Sequence, residues 1–297
     1  MIRALIATAL ALVLATPATA ERSTTLAFGL GHSRITADEL VYDESDLVSR
    51  LTWSSHVPVA QFGLRQELPQ GWVLDGQFVT GLGADGFMAD YDWLRPWATG
   101  TGPDDWSHRS LHSATDLKRY VDLDVTLGRQ IATLGRTQIG LHAGLKYTEV
   151  SWRARGGSFV YSRDGFRNAI FSQPDSRRAV DYTQRHKAVF AGAEVLHQAG
   201  AWNFAGLLRA GLSVQPREVD LHWQRHLRFD HTIDSQPYVS LGLSGSYALR
   251  ENLTLGVEAS WQRFFERRGD ARISDMRDGE LYLNDPDSIS GELTTAN

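Results

Sequence analysis

Two short acidic motifs carry residue types that can activate water. Asp90-Tyr91-Asp92 places carboxylates at i and i+2, which share one face of an extended chain. Two close carboxylates resist full ionisation, so one of them holds a proton near neutral pH. Such a pair can position water and stabilise a tetrahedral intermediate. Asp220-Leu221-His222 is the second motif, in which a carboxylate that orients an imidazole makes a general base. Spacing alone leaves plainer readings open: solvated loop acids for the first pair, a surface histidine beside an acid for the second. Asp122-Leu123-Asp124 repeats the first spacing and is expected to form ion pairs with arginines such as Arg65 or Arg209. Asp90, Asp92 and His222 can in principle also make a two-carboxylate, one-histidine metal site. The ten histidines show no ligand spacing, however, and with no cysteine a thiolate site is excluded. No metal is expected.

The elements that must position these motifs are β-strands. Arg3, the apolar run Ala4 to Ala15 and Ala18-Thr19-Ala20 predict a signal peptide over residues 1–20, leaving one domain over 21–297. That domain carries 29 basic against 35 acidic residues, a balance that gives no electrostatic reason to bind nucleic acid. No later stretch reaches the ~18 apolar residues of a membrane helix.

Alternation of period two is strong. Val239, Leu241, Leu243, Tyr247 and Leu249 alternate with Ser240, Gly242, Ser244 and Ser246. Leu253–Trp261, Ile139–Tyr147 and Val121–Leu127 behave alike. An apolar face opposite a small and charged one predicts a membrane barrel with a polar lumen. Tight turn signals at Pro69-Gln70-Gly71, Leu134-Gly135-Arg136, Ala199-Gly200-Ala201 and Arg250-Glu251-Asn252 alternate with long polar segments, expected as loops, at about 84–116, 156–180, 223–234 and 269–287. The count is ten antiparallel strands, the last one truncated, with Trp72, Trp202 and Tyr247 in an interfacial girdle. Nineteen residues separate Gly71 from Asp90, and nineteen separate Ala201 from Asp220. The strands must therefore extend above the membrane and bring both motifs to one height. Parity counted from Trp72 and Trp202 puts all four catalytic candidates on the lipid side. A bulge is needed in each strand, with Gly81–Gly86 and Pro216 as candidate places.

Several blocks resemble the omptin family of outer-membrane proteases. They are Glu39-Leu40-Val41-Tyr42, Met88-Ala89-Asp90-Tyr91-Asp92-Trp93, Trp106 with His112 and Thr115, and Ala154 to Ser162 followed by Gly165-Phe166-Arg167 and Tyr182-Thr183-Gln184-Arg185. The resemblance implies an outer-membrane endopeptidase that faces outside and uses water as nucleophile. It gives Asp220 and His222 the part of the water-activating dyad and Asp90 and Asp92 that of the opposing couple. Glu39 and Glu218 fall where the family has acidic specificity residues, which implies cleavage next to basic residues, and His112 supports the substrate groove. Tyr147, Glu149 and Arg185 match a lipopolysaccharide-binding site. Lipopolysaccharide is then needed for activity, no other cofactor is expected, and the protein acts as a monomer on peptide or protein substrates. His108 and Ser151 depart from the family pattern. The alternative is a non-catalytic barrel, an adhesin or porin-like pore, on the same scaffold.

Overall fold

The computed structural model describes residues 9–15, 23–98, 100 and 102–297. Most of the predicted signal peptide therefore lies outside the described residues. The chain forms β1 (Ala9–Ala15), β2 (Thr24–Asp43), β3 (Asp46–Glu67), β4 (Trp72–Gly81), β5 (Ala84–Asp92), β6 (His108–Leu134) and β7 (Thr137–Tyr161). It continues with β8 (Ala169–Ala199), β9 (Trp202–Val214), β10 (Arg217–His222), β11 (Leu227–Thr232), β12 (Ser235–Arg250), β13 (Leu253–Asp275) and β14 (Leu281–Ala296). All pairings are antiparallel and close a ring of ten wall positions. Three positions are built from two strands broken at mid-height: β4 with β5, β9 with β10, and β12 with β11. In the tenth, β14 pairs with β13 and with Arg34–Val41 of β2, while Ala9–Ala15 pairs lower down with Leu253–Glu258 and Thr25–Leu30.

Alternation sorts the two faces as the sequence predicts. Leu123, Val125 and Leu127 are 41–48% exposed on the outer wall, whereas Asp122, Asp124 and Thr126 between them are buried inside. A polar lumen and an apolar outer band are the arrangement a bilayer demands. All four predicted tight turns join strands at the lower end, and Trp72, Trp202 and Tyr247 lie exposed beside them.

The long polar segments differ from expectation, because most of their length is strand. β8 runs 31 residues and β7 25. At about 3.3 Å per residue and a tilt near 40°, β7 rises on the order of 60 Å, well beyond the ~25 Å apolar band. Above the membrane both faces of a strand can be polar, so alternation fades and the sequence looks like loop. The upper hairpins close instead at short turns, such as Trp223–His226 and Met276–Gly279.

The two bulges exist. Between the pairs Val59↔Gly81 and Ser55↔Gly86, β3 advances four residues while the β4–β5 wall advances five. Gly83, at φ 91°, sits in that break, a conformation natural to glycine. Between Ala188↔Ser213 and Arg185↔Arg217, β8 advances three residues and the β9–β10 wall four, with Gln215 at φ 47° beside Pro216. One extra residue reverses the parity of everything above it. Met88, Asp90 and Asp92 therefore turn inward, and so do Glu218, Asp220 and His222.

Below the rim the lumen is filled. Trp53, Trp152 and Tyr182 stack with ring centroids 5.5–6.4 Å apart, all fully buried. Trp152 Nε1 donates to Ser55 Oγ at 3.0 Å.

Candidate active site

β5 and β10 stand four wall positions apart in the ring of ten and face one another across its upper mouth. On β10, Asp220 is buried and its Oδ2 lies 2.6 Å from His222 Nε2. The second carboxylate oxygen of Asp220 has no hydrogen-bond partner among the described residues. A buried acid on one ring nitrogen fixes the orientation and tautomer of the imidazole. The guanidinium of Arg225, in the turn after β10, donates to His222 Nδ1. Phe229 flanks the ring at 5.0 Å between centroids.

On β5, Ser49 of neighbouring β3 donates weakly to Asp90 Oδ1 at 3.4 Å. Burial, then the charge of Asp92, pushes the Asp90 carboxyl well above the usual range, and Asp220 adds to this while Arg225 opposes it. Asp92 is raised by burial, with Ser49, His108, Arg225 and His222 pulling the other way. Each motif thus lies within electrostatic reach of the other. Both shifts run toward the protonated carboxyl.

Glu39 on β2 and Glu218 on β10 are also buried at this level. Glu218 accepts from Tyr182 Oη at 2.8 Å and Gln184 Nε2 at 3.0 Å. Burial raises Glu39 strongly, and Asp220, Glu218 and Asp90 add to it. Six of the residues singled out in the sequence, Glu39, Asp90, Asp92, Glu218, Asp220 and His222, thus come together.

His112 does not share the open groove. It lies buried within β6, opposite Met88, and packs edge-on against Phe159 at 5.5 Å. Burial lowers its pKa, which favours the neutral ring. The part of the 84–116 segment that carries it, expected as loop, is strand. Tyr147, Glu149 and Arg185 form a separate group: Tyr147 Oη donates to Glu149 Oε2 at 2.5 Å, Arg185 Nε lies 3.5 Å from Glu149 Oε1, and Arg119 Nε lies 3.8 Å from the same oxygen.

Arg225, Ser49 and His231 escaped the sequence reading. His231 lies between Glu39 and Glu218, at 3.7 and 3.6 Å. Continuing the alternation of β10 through a short hairpin would have found it, since Glu218 and His231 are register partners. Treating 223–234 as a loop hid that.

The model of the Omptin family matches residues 20–295. The chain belongs to the omptin family. It is 26% identical over 236 residues to Protease 7 of Escherichia coli O157:H7, spanning 78% of this chain and 73% of that protein. It is 25% identical over 253 residues to the outer membrane protease OmpP of Escherichia coli strain K12, spanning 83% and 79%. The crystal structure of the outer membrane protease OmpT from Escherichia coli superposes with a TM-score of 0.81 at 21% identity, over 98% of this chain and 93% of that one. The fold is thus that of the omptin barrel, and the protein is an outer-membrane β-barrel of a protease family.

The family blocks acquire physical reasons in this omptin. Arg167 of the Gly165-Phe166-Arg167 segment lies 3.5 Å over the Trp106 ring and donates through Nε to the Trp106 carbonyl at 2.9 Å. Trp93 Nε1 donates to the Gly102 carbonyl at 2.9 Å. These contacts hold the segment after Asp92 down beside the couple.

Proposed function

We propose that this omptin is an outer-membrane endopeptidase that cleaves peptides and proteins next to basic residues, with water as the nucleophile. One observation carries the reading: the Asp220–His222 dyad on β10 stands across one mouth from the Asp90–Asp92 couple, within electrostatic reach of both its carboxyls. As Arg225 gives up its bond to Nδ1, His222 takes a proton at that nitrogen from water lying between the pairs, and Asp220 on Nε2 stabilises the imidazolium that results. The carboxyl of the couple that keeps its proton donates a hydrogen bond to the tetrahedral oxyanion, and its partner orients the water. His222 then returns the proton to the leaving amine. Glu39 and Glu218 supply the negative pocket for a basic side chain just before the scissile bond. His112 supports the groove wall from behind.

A phosphate of lipopolysaccharide is proposed at Tyr147, Glu149 and Arg185, with Arg119 as a second guanidinium. Their grouping supports it, and no other cofactor is invoked. The barrel is taken to act as a monomer. Residues 1–20 are proposed as the export leader. The aromatic plate of Trp53, Trp152 and Tyr182 across the lumen argues against a pore.

The test is cleavage of a peptide library by barrel refolded with lipopolysaccharide, beside His222→Ala. Cuts clustered at basic residues and lost in the variant are expected. Equal cleavage by both proteins rejects the dyad.

A further inference from the structure

His231 stands on β11 across the hairpin from Glu218. Its Nδ1 lies 3.6 Å from Glu218 Oε2 and its Nε2 3.7 Å from Glu39 Oε1. His231 and both acids are at most 2% exposed. Both separations exceed a normal hydrogen bond, and neither ring nitrogen has any other partner among the described residues. The ring is therefore a wedge between two acids rather than a member of a closed network. An imidazole sends two nitrogens outward in one plane, much as a guanidinium does. His231 thus occupies the bridge that an arginine side chain would make between Glu39 and Glu218.

The remaining acceptors are few. Both oxygens of Glu218 are engaged, one by Tyr182 and one by Gln184. Glu218 also presses on the backbone of Gly291, where a Cβ would stand 1.9 Å from Oε1, so the acid cannot retreat. Glu39 Oε1 faces His231, which leaves Glu39 Oε2, buried and without a partner among the described residues. A guanidinium gains most from a two-pronged fork onto paired acceptors, whereas an ammonium is a compact point charge that a single carboxylate oxygen suits. Lysine is also the slimmer side chain for a pocket already part-filled by a ring.

We propose that His231 is a specificity-determining residue that narrows the acid pocket to a single-point cation, so that this omptin favours lysine over arginine just before the scissile bond. The proposal rests on the peptidase reading and on Glu39 and Glu218 as the pocket acids.

The experiment uses paired peptides that differ only by lysine or arginine at that position, with wild type, His231→Ser and His231→Gln. Both kcat/KM and equilibrium binding of short lysine and arginine peptides are measured. Heat-modifiable gel mobility confirms that each barrel is folded. Wild type should cut the lysine peptide about tenfold faster, the worth of one charged hydrogen bond. His231→Ser, which opens the bridge, should move the ratio toward arginine by about 10- to 100-fold. His231→Gln, which keeps the bulk, should move it less. A wild type that prefers arginine overturns the proposal whatever the variants do. So does a lysine preference left intact in folded His231→Ser. If no peptide is cut by any protein, the peptidase reading falls, and the binding ratio still decides the pocket.

Discussion

Two aspartate pairs of identical spacing sit at different heights in this barrel, and their surroundings have little in common. In the lower lumen, Lys146 is ion-paired to Asp122 and lies 3.6 Å from Asp124. Arg209 reaches Asp124 at 3.1 Å, and Thr148 and Gln262 donate to Asp122 at 2.8 and 2.7 Å. At the rim, Asp90 and Asp92 have a weak serine contact and no ion pair among the described residues, while Asp220, Glu39 and Glu218 crowd the same volume. The lower pair is neutralised and ties strands together. The upper pair is left short of positive charge, which is the condition under which a carboxyl keeps a proton it can use. A carboxylate pair becomes chemistry through the cations withheld from it rather than through its spacing.

The largest expected effect tests that division directly. His222→Ala should lower kcat/KM on a basic peptide by about 10²- to 10⁴-fold, the usual worth of a general base. Asp122→Asn, at the lower pair, should leave kcat/KM per folded barrel within about twofold of wild type. Comparable losses in the two variants would erase the distinction between the regions.

Next comes stability. Lys146→Ala leaves Asp122 and Asp124 buried with less compensation, and breaking a buried pair from one side costs about 3–5 kcal/mol. Urea unfolding in detergent should show that loss, while peptide cleavage by the surviving folded fraction stays near wild type. If Lys146→Ala is as stable as wild type, the lower network does not hold the barrel.

The two regions were also unequally legible in the sequence. Alternation of Leu123, Val125 and Leu127 against Asp122, Asp124 and Thr126 is enforced by lipid on one side and lumen on the other, so strand identity, facing and lower turns could all be read. Above the membrane no such contrast acts, and the strands of 84–92, 108–116 and 169–180 passed for loop. The catalytic candidates were visible as residue types, yet parity placed them in lipid. Only the extra residues near Gly83 and Gln215 turn them inward, and a single sequence allows such bulges without fixing them. Arg225 and His231 stayed hidden because their positions depend on where the β10–β11 hairpin turns.

A smaller effect concerns the cost of the crowded acids. Asp90 and Asp92 bind protons more tightly in the folded barrel than in the unfolded chain. That favourable contribution is complete below the unfolded carboxylate range and is lost as pH rises through the raised values. At neutral pH the folded rim therefore carries a cost, from burial first and from the neighbouring charges second, that Asp90→Asn removes. The variant should be inactive yet melt higher at pH 7, by about 2–4 °C for each kcal/mol relieved, and the gain should vanish at acid pH. A melting point unchanged or lowered at pH 7 would show that the rim acids are not in conflict.

The smallest effect isolates Arg225, the rim's main counter-charge. It lowers the pKa of Asp90, Asp92 and Glu39 alike, and it donates to the His222 nitrogen opposite Asp220. Arg225→Gln removes the charge while keeping a donor. The rim carboxyls then hold their protons to higher pH, so the acidic limb of the kcat/KM profile should move upward. Because Arg225 is exposed and screened by solvent, the displacement should be under about one pH unit and should shrink in high salt. Among the described residues the Asp122–Asp124 pair has no comparable exposed cation over it, since Lys146 and Arg209 are both buried. A profile that shifts equally at low and high salt would mean that Arg225 acts by shaping the loop around His222 and not through its charge, and the rim would then differ from the lower pair in geometry rather than in electrostatics.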